Sequence, residues 1–544
     1  MKSVVFLYSG NPSPNKFEPL FDGTSSFELS LLWAINVKEC DQIVVLGLDE
    51  FAEKINSEIN RVKNKNSCQK QFLTVLKPCW TTSLLVQEMA VRTASCSAEC
   101  AVYAWADCPL LDQELTYSVT LAHEAYLSEY TFADGYPYGF APEVINAGTL
   151  NVLSSLAQGS QKSEGDKFVT ENSVFALMKN DINSFEVETV ISPVDYRLLR
   201  LYFTTKNKIE LTATQNLYSL AKEKGIKFCA NELSRLAAQS VQVQRTVPAF
   251  YNIQVTSKTN QKPLYYPFPE KFMGRNTCIN TEITVEQMNS LAQQIVELSH
   301  DAVVSFSLWG EPLLHDNIAE LVGAVLKYHS LSVLIETNGV ALTEELAAKI
   351  KSEADKYGAR TNDYPAVSFI VDLDAADSEK YMIMHGIETL QDASSQFDKA
   401  VNSVSILEKY FAGCVYPQFL RVNNNEDQLE KFYRSWSSRD SVTGGKVIIQ
   451  KFSSFCGLYN DEKPADLSPV ERNTCWHLKR DFCILSNGDV PVCRESLDRE
   501  IIGNVFAYGL QNVWNRNQEM TQDHLDKNYC QMCRDCDEYY TFNF

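Results

Sequence analysis

Residues 475–505, CWHLKRDFCILSNGDVPVCRESLDREIIGNV, and residues 529–540, YCQMCRDCDEYY, carry six of the chain's sixteen cysteines: Cys475, Cys483, Cys493, Cys530, Cys533 and Cys536. Two widely spaced thiols followed by a tight C-x-x-C-x-x-C run suit a tetrahedral metal or an iron-sulfur cluster, because the short spacing lets neighbouring thiolates converge on one centre. The stretch reads as a metallocentre. Seventeen residues separate Cys475 from Cys493, and apolar runs within them flank Asn487-Gly488-Asp489. Asn and Gly accept the positive φ of a tight turn, so a hairpin is expected here, carrying Cys493 back towards Cys475. Cys483 falls in an apolar strand and reads as a buried small hydrophobe. Zinc and cluster sites share this spacing, so the cysteines by themselves leave both open.

With Ile502-Gly503-Asn504-Val505 and the Val513-Trp514-Asn515 segment behind it, this arrangement resembles the SPASM domain, the C-terminal auxiliary-cluster module of many radical SAM enzymes. The resemblance covers residues 471–540. It implies one four-iron cluster held by Cys475, Cys493, Cys533 and Cys536, with Cys530 as an alternative ligand, and it favours the cluster over zinc.

The chain has 544 residues, 45% hydrophobic and 11% aromatic, the content of a folded protein with two or three cores. Its start, MKSVVFLYSG, has one lysine and an apolar run too short for a signal peptide, and no span reaches transmembrane length. A reduced cytoplasm is expected, with the cysteines outside the tail as free thiols. A net charge of -20 without a long basic run argues against nucleic acid or an anionic membrane as partner.

Residues 1–225 alternate strand and helix. Val4–Tyr8, Ile43–Gly47 and Ala101–Trp105 read as strands and an apolar helix starts near Phe27, which implies an α/β sheet with parallel strands. Asp107 follows the third strand, where the crevice of such sheets lies. Asp107-Cys108-Pro109-Leu110-Leu111-Asp112 and Tyr136–Val144 resemble the metal-binding strand end and sugar-side loop of cytidylyltransferases, whose fold is the nucleotide-diphospho-sugar transferase sheet. The resemblance implies a cofactor-binding role for Lys16 and Asp107. It also exposes departures: Pro12 stands at the family's phosphate-binding Arg, Ala141 at an Asp, and Thr204 at the second metal carboxylate. Losing those charges removes most of the stabilisation nucleotidyl transfer needs, so that activity is not expected. Without it, Asp107 reads as a loop anchor or cap, and Lys16 as a solvated surface charge.

Residues 226–245 read as a linker helix ending before Pro248. Residues 246–470 carry repeated strand signals, at Tyr251–Thr256, Val303–Leu308, Ser332–Thr337, Val367–Asp374 and Val447–Phe452. They resemble the partial (β/α) barrel of radical SAM enzymes: Gly310-Glu311-Pro312 is similar to the loop that holds the amino group of S-adenosylmethionine, and Glu336-Thr337-Asn338-Gly339 to the segment near the cofactor's ribose. The resemblance implies cofactor contacts at Gly310, Glu311 and Asn338, whereas ordinary turn chemistry explains the same residues structurally. The family's C-N-x-x-C-x-x-C-P loop is represented by Asn260 and Pro267, with Thr259, Pro263 and Tyr266 at its cysteine positions. None of these supplies the soft anionic ligand that a four-iron cluster needs. Cys229 and Cys278 do not recreate the spacing.

The three-part order resembles the spiro-SPASM family. Its implication is an iron-sulfur protein with one tail cluster, acting in electron transfer or as an accessory to a redox or substrate protein, with S-adenosylmethionine doubtful. The rival reading is an enzyme acting on a nucleotide-sugar or peptide, its ligands near Lys16, Asp107 and Glu143 or near Glu311 and Asn338. A third is a scaffold with zinc in the tail.

Overall fold

The computed structural model describes residues 1–164, 167–179, 181–272, 281–362, 364–466, 468–469 and 471–539. Cys278 lies outside the described residues. The chain divides into two compact units, Met1–Thr246 and Val247–Phe544.

The first unit is built on strands β1 (Ser3–Ser9), β2 (Cys40–Leu48), β3 (Gln71–Lys77), β4 (Cys100–Trp105), β5 (Tyr130–Asp134), β6 (Glu143–Asn146) and β7 (Val187–Ile191). They form one sheet in the order β3-β2-β1-β4-β6-β5-β7. Every residue of β1 is buried, as a continuous apolar run between two parallel neighbours requires. The helix Ser26–Asn36 crosses back over the sheet, started by Ser25, whose side chain accepts the Glu28 amide. The sheet is not wholly parallel: β6 runs against both β4 and β5. Residues 226–245 hold two short helices, Ala230–Ala238 and Val241–Gln244, and Leu233, Leu236, Ala237 and Val243 pack into this unit's core.

The second unit carries β8 (Phe250–Ile253), β9 (Ala302–Phe306), β10 (Leu331–Thr337), β11 (Val367–Asp372), β12 (Val415–Arg421), β13 (Ile448–Lys451) and β14 (Asp481–Ile484). All neighbours in the order β13-β12-β11-β10-β9-β8-β14 are parallel, with helices between successive strands, which is a partial (β/α) barrel. Strand ends therefore gather their side chains at one mouth.

β14 comes from the cysteine-rich tail yet pairs in parallel with β8, and Phe482, Ile484, Val490, Val513 and Trp514 join the barrel core. The tail's expected hairpin takes another form. The turn is present, with Gly488 at φ +86° and its amide donating to Leu485 O at 2.8 Å. Its two arms go to different partners, however. β14 completes the barrel sheet, while β15 (Asp489–Pro491) pairs antiparallel with β16 (Ile501–Asn504). Burial decides this: β14 gains a parallel neighbour and an apolar core that a free two-stranded ribbon would lack.

Candidate metal centre and barrel mouth

Cys475 stands at the N-cap of the short helix Trp476–Arg480, where the backbone N–H groups of Leu478 and His477 favour its anionic form. Cys493 sits at a turn where its sulfur accepts the Ser496 amide. Cys536 accepts from the Glu538 amide at 3.3 Å. Backbone donors aimed at sulfur favour the anionic form that a ligand must take. These three sulfurs and that of Cys533 line one small pocket with Val492, Met520 and Met532.

Burial in this apolar lining lifts the Cys475 thiol to about 12, with the nearby Cys536 adding to the rise, and pushes Cys493 and Cys533 upward too. The thiols are therefore neutral until an electrophile replaces their protons. Cys530 is exposed and adjoins Cys533 at the pocket's edge. Cys483 is 2% exposed within β14, away from the pocket lining.

Sequence reading passes over three residues of this site. Cys456 lines the same pocket and contacts Cys536. Arg472 donates to the carbonyls of Cys533, Arg534 and Cys536, and its guanidinium lies 4.2 Å from the Tyr539 ring centroid. Asp537 accepts from the amide and hydroxyl of Ser454 and from Lys463 at 2.8 Å. Together Arg472 and Asp537 fold the C-x-x-C turn against the segment that carries Cys456. Only three-dimensional proximity reveals them, since Cys456 lies nineteen residues before Cys475 with no motif between. Among the described residues no group of three His, Cys, Asp or Glu side chains is arranged to enclose a single metal ion. The donor set suits a larger group: five thiols around an apolar pocket supply the soft ligands an iron-sulfur cluster takes.

At the barrel mouth the expected cofactor residues are engaged with one another. Glu311, 5% exposed, accepts from Leu313 N at 3.0 Å, Thr337 Oγ1 at 2.6 Å and Asn338 N at 2.9 Å. Asn338 Nδ2 donates to Asn260 Oδ1 at 2.7 Å, tying the cysteine-less loop to the end of β10. Gly310 is at φ +82°, and a Cβ there would lie 2.0 Å from Thr256 O, so only glycine fits. Its carbonyl accepts from Tyr266 OH at 3.4 Å. The Tyr266 ring stands edge-on to Trp309 at 5.6 Å, and Trp309 in turn meets Phe272 and Phe455.

Beneath this loop lies a cavity of about 790 Å³. Glu336, Asp372, Asp374 and Arg494 face it. Burial raises Asp374 to about 7 and Asp372 well above the carboxylate range, with Glu336 adding repulsion.

In the first unit Lys16 is wholly buried, contrary to the solvated surface charge read from sequence. Its ammonium donates to Asn11 O at 2.5 Å and Asn11 Oδ1 at 2.8 Å, while Asn11 Nδ2 donates to Asp107 Oδ2 at 2.6 Å. Burial lowers Lys16 to about 8 and raises Asp107 to about 6, each held back by the other's charge. The physical reason is local. The first loop folds inward onto the end of β4 and uses Lys16 as an internal pin. Thr204, which the resemblance aligns with the second metal carboxylate, is 1% exposed and bonded to Glu210.

Residues 475–537 match the SPASM family, described as an iron-sulfur cluster-binding domain. An uncharacterized protein of Treponema pallidum (strain Nichols) is 36% identical over 372 residues, covering 68% of this chain and 98% of that protein. The chain belongs to the spiro-SPASM family.

Solved structures similar to this spiro-SPASM chain include BtrN in complex with AdoMet and 2-DOIA, 17% identical with a TM-score of 0.34, covering 54% of this chain and 94% of that one. A tagged form of anSMEcpe with bound AdoMet is 14% identical with a TM-score of 0.37, covering 53% and 90%. A cytidylyltransferase from Leptospira borgpetersenii is 14% identical with a TM-score of 0.31, covering 42% and 96%. The spiro-SPASM tail thus carries an iron-sulfur cluster-binding domain. Among the described residues no helix is long and apolar enough to cross a membrane.

Proposed function

We propose that this protein uses one four-iron cluster in its tail, held by Cys475, Cys493, Cys536 and a fourth thiol from the C-x-x-C-x-x-C run, to pass electrons to or dock a partner protein. In this reading the barrel does not cleave S-adenosylmethionine. The observation that carries it is the loop of Thr259, Pro263 and Tyr266. Tyr266 spans the ground between Gly310 O and Trp309, and the aromatic side chains of Phe268, Trp309 and Phe455 pack behind it into one cluster with Leu485 and Leu497. Tyr266 thereby bonds a carbonyl of the Gly310-Glu311-Pro312 loop, the loop that the resemblance assigns to the cofactor's amino group. No thiol of this loop can fix an iron beside it.

The tail cluster supplies one-electron transfer when bound. The chain's own residues set its surroundings: Val492, Met520 and Met532 keep water from the pocket, and Arg472 orients the Cys533–Cys536 turn. The redox partner expected from sequence is a protein, since electron transfer needs no substrate chemistry from the chain itself, only cluster exposure and a partner surface.

The test is iron, sulfide and zinc per chain after anaerobic reconstitution, on the intact protein and on Cys493→Ala. About four irons with matching sulfide, lost in the variant, are expected. About eight irons would restore the barrel as a cluster site and overturn the reading. Zinc without sulfide would leave a scaffold.

One observation favours a second reading, an enzyme acting on a nucleotide-sugar or peptide. The cavity of about 790 Å³ has the size of a ligand site, and it lies at the strand ends of the barrel. Thermal stabilisation by S-adenosylmethionine, or by CTP with magnesium, would support it; stability unmoved by either at high concentration counts against it.

A further inference from the structure

The tail pocket is lined by five thiols, one more than the four that hold a four-iron cluster. Cys475, Cys493 and Cys536 are neighbours in the pocket, and Cys493 and Cys536 each already accept a backbone amide. The other two meet this trio across different edges. Cys533 adjoins Cys475 and Cys536, while Cys456 adjoins Cys493 and Cys536. Both line the same pocket as the trio, which makes each a candidate for the fourth position.

We infer that Cys456 is an iron ligand of this pocket, competing with Cys533 for the fourth iron. The inference rests on the tail cluster proposed above and extends its ligand set beyond residues 475–537, the span that matches the SPASM family.

Cys456 is brought to the pocket by built contacts. Ser454, two residues earlier, donates its amide and hydroxyl to the Asp537 carboxylate, next to Cys536. Arg499 bonds both Phe455 O at 3.0 Å and Glu495 O at 2.7 Å, closing the other side. Phe455 and Cys456 are consecutive left-handed residues, at φ 50° and 57°. Non-glycine residues adopt that state at a cost, and two in succession imply that the surroundings fix where the second side chain points. Here it lines the pocket together with Cys536. The Cys456 thiol also donates to Glu495 O at 3.7 Å, a weak contact that gives way when iron takes the proton's place.

Ordinary packing is the competing account, since buried free cysteines often serve as small hydrophobes. The two differ in what happens when Cys533 is removed. Wild type, Cys456→Ala, Cys533→Ala and the double alanine variant are reconstituted anaerobically, then assayed for iron and sulfide and for the EPR spectrum of the reduced cluster.

The expected result is about four irons in wild type and in each single variant, with an altered EPR signal in Cys533→Ala, and loss of most iron in the double variant. A Cys533→Ala protein as empty as the double variant would overturn the inference, as would a double variant still loading four irons, which would assign the fourth position to Cys530. If the double alanine variant does not fold, Cys456→Ser in the Cys533→Ala background decides. Oxygen ligation shifts the EPR signal, and an unchanged signal overturns Cys456 as ligand. Wild type without sulfide would instead sink the tail cluster itself, separating the two failures.

Discussion

The resemblance to cytidylyltransferases implies that Lys16 meets a ligand, whereas its ammonium is held by Asn11 and lies 4.8 Å from the Phe51 ring centroid. A buried charge that loses its partner is expensive. Lys16→Met leaves two Asn11 oxygens without a donor and Asp107 without a compensating charge, so it is expected to destabilise the protein by about 3 kcal/mol in urea titrations. Lys16→Met with Asp107→Asn should recover much of that loss, whereas a solvated lysine would move stability by no more than about 0.5 kcal/mol. His123 gives a pH prediction. It is 2% exposed, its Nδ1 is 2.8 Å from Thr131 Oγ1, and burial lowers it from the ordinary 6.5 to about 4. As pH falls from 6.5 towards 4 the unfolded chain binds a proton there that the folded chain refuses. Stability is therefore present above the upper value and lost across that window, and His123→Leu should flatten the acid limb of the stability profile measured by denaturant melts. Residue identity alone disclosed the tail thiols, which fall within residues 475–537, the span that matches the SPASM family. It could not disclose that Lys16 turns inward, because one lysine after a Gly/Pro loop looks the same whether it meets solvent or Asn11. Cys456 was invisible for a related reason: its place is fixed through Ser454, Asp537 and Arg499, and only Ser454 is near in sequence.

At the scale of elements, β1, β2, β4, β9, β10, β11 and β13 stand out in the sequence as apolar runs. β12 does not. Pro417 lies inside it, paired with Val371 of β11, and β12 is flanked by β11 and β13. A proline in an interior strand forgoes a ladder bond, and on sequence grounds it argues against a strand at all. β6 escaped as a reversed strand because its pairing with β4 and β5 depends on segments far apart in the chain. β14 escaped as part of the barrel for the same reason: its apolar residues fit a hairpin arm and a sheet edge equally well. Its real place makes a prediction. A fragment ending at Pro469 would strip β8 of one of its two neighbours and bare Tyr251, whose ring meets Phe482 at 5.8 Å. It would also remove Trp514 and Val513 from the core. β8 would keep β9 on its other side but become an edge strand, and an edge strand with an exposed apolar face invites association. The 247–469 fragment is therefore expected to aggregate where 247–544 remains monodisperse in size-exclusion chromatography. A monodisperse, cooperatively melting fragment would show that the barrel closes without β14.

For the whole molecule, the strand and helix alternation written in the sequence foretold two α/β sheets, and the cysteine spacing foretold where sulfur gathers. The division of labour between the units follows from where the cores close. One core gathers Val5, Leu31 and Leu217 with the helices after residue 226, all before Val247. The other runs from Tyr251 to Trp514 and so includes both barrel and tail. Every thiol of the metal pocket, from Cys456 to Cys536, lies in the second unit, and so do the residues that orient them, Arg472, Arg499 and Asp537. Cluster binding should therefore be a property of the second unit. Expressed separately, 247–544 is expected to take up the same iron and sulfide per chain as the intact protein, about four of each, and 1–246 none. The first fragment should still unfold in one cooperative transition, because its core is complete by Val243. Iron loading that collapses when residues 1–246 are removed would mean that the first unit takes part in holding or delivering the cluster.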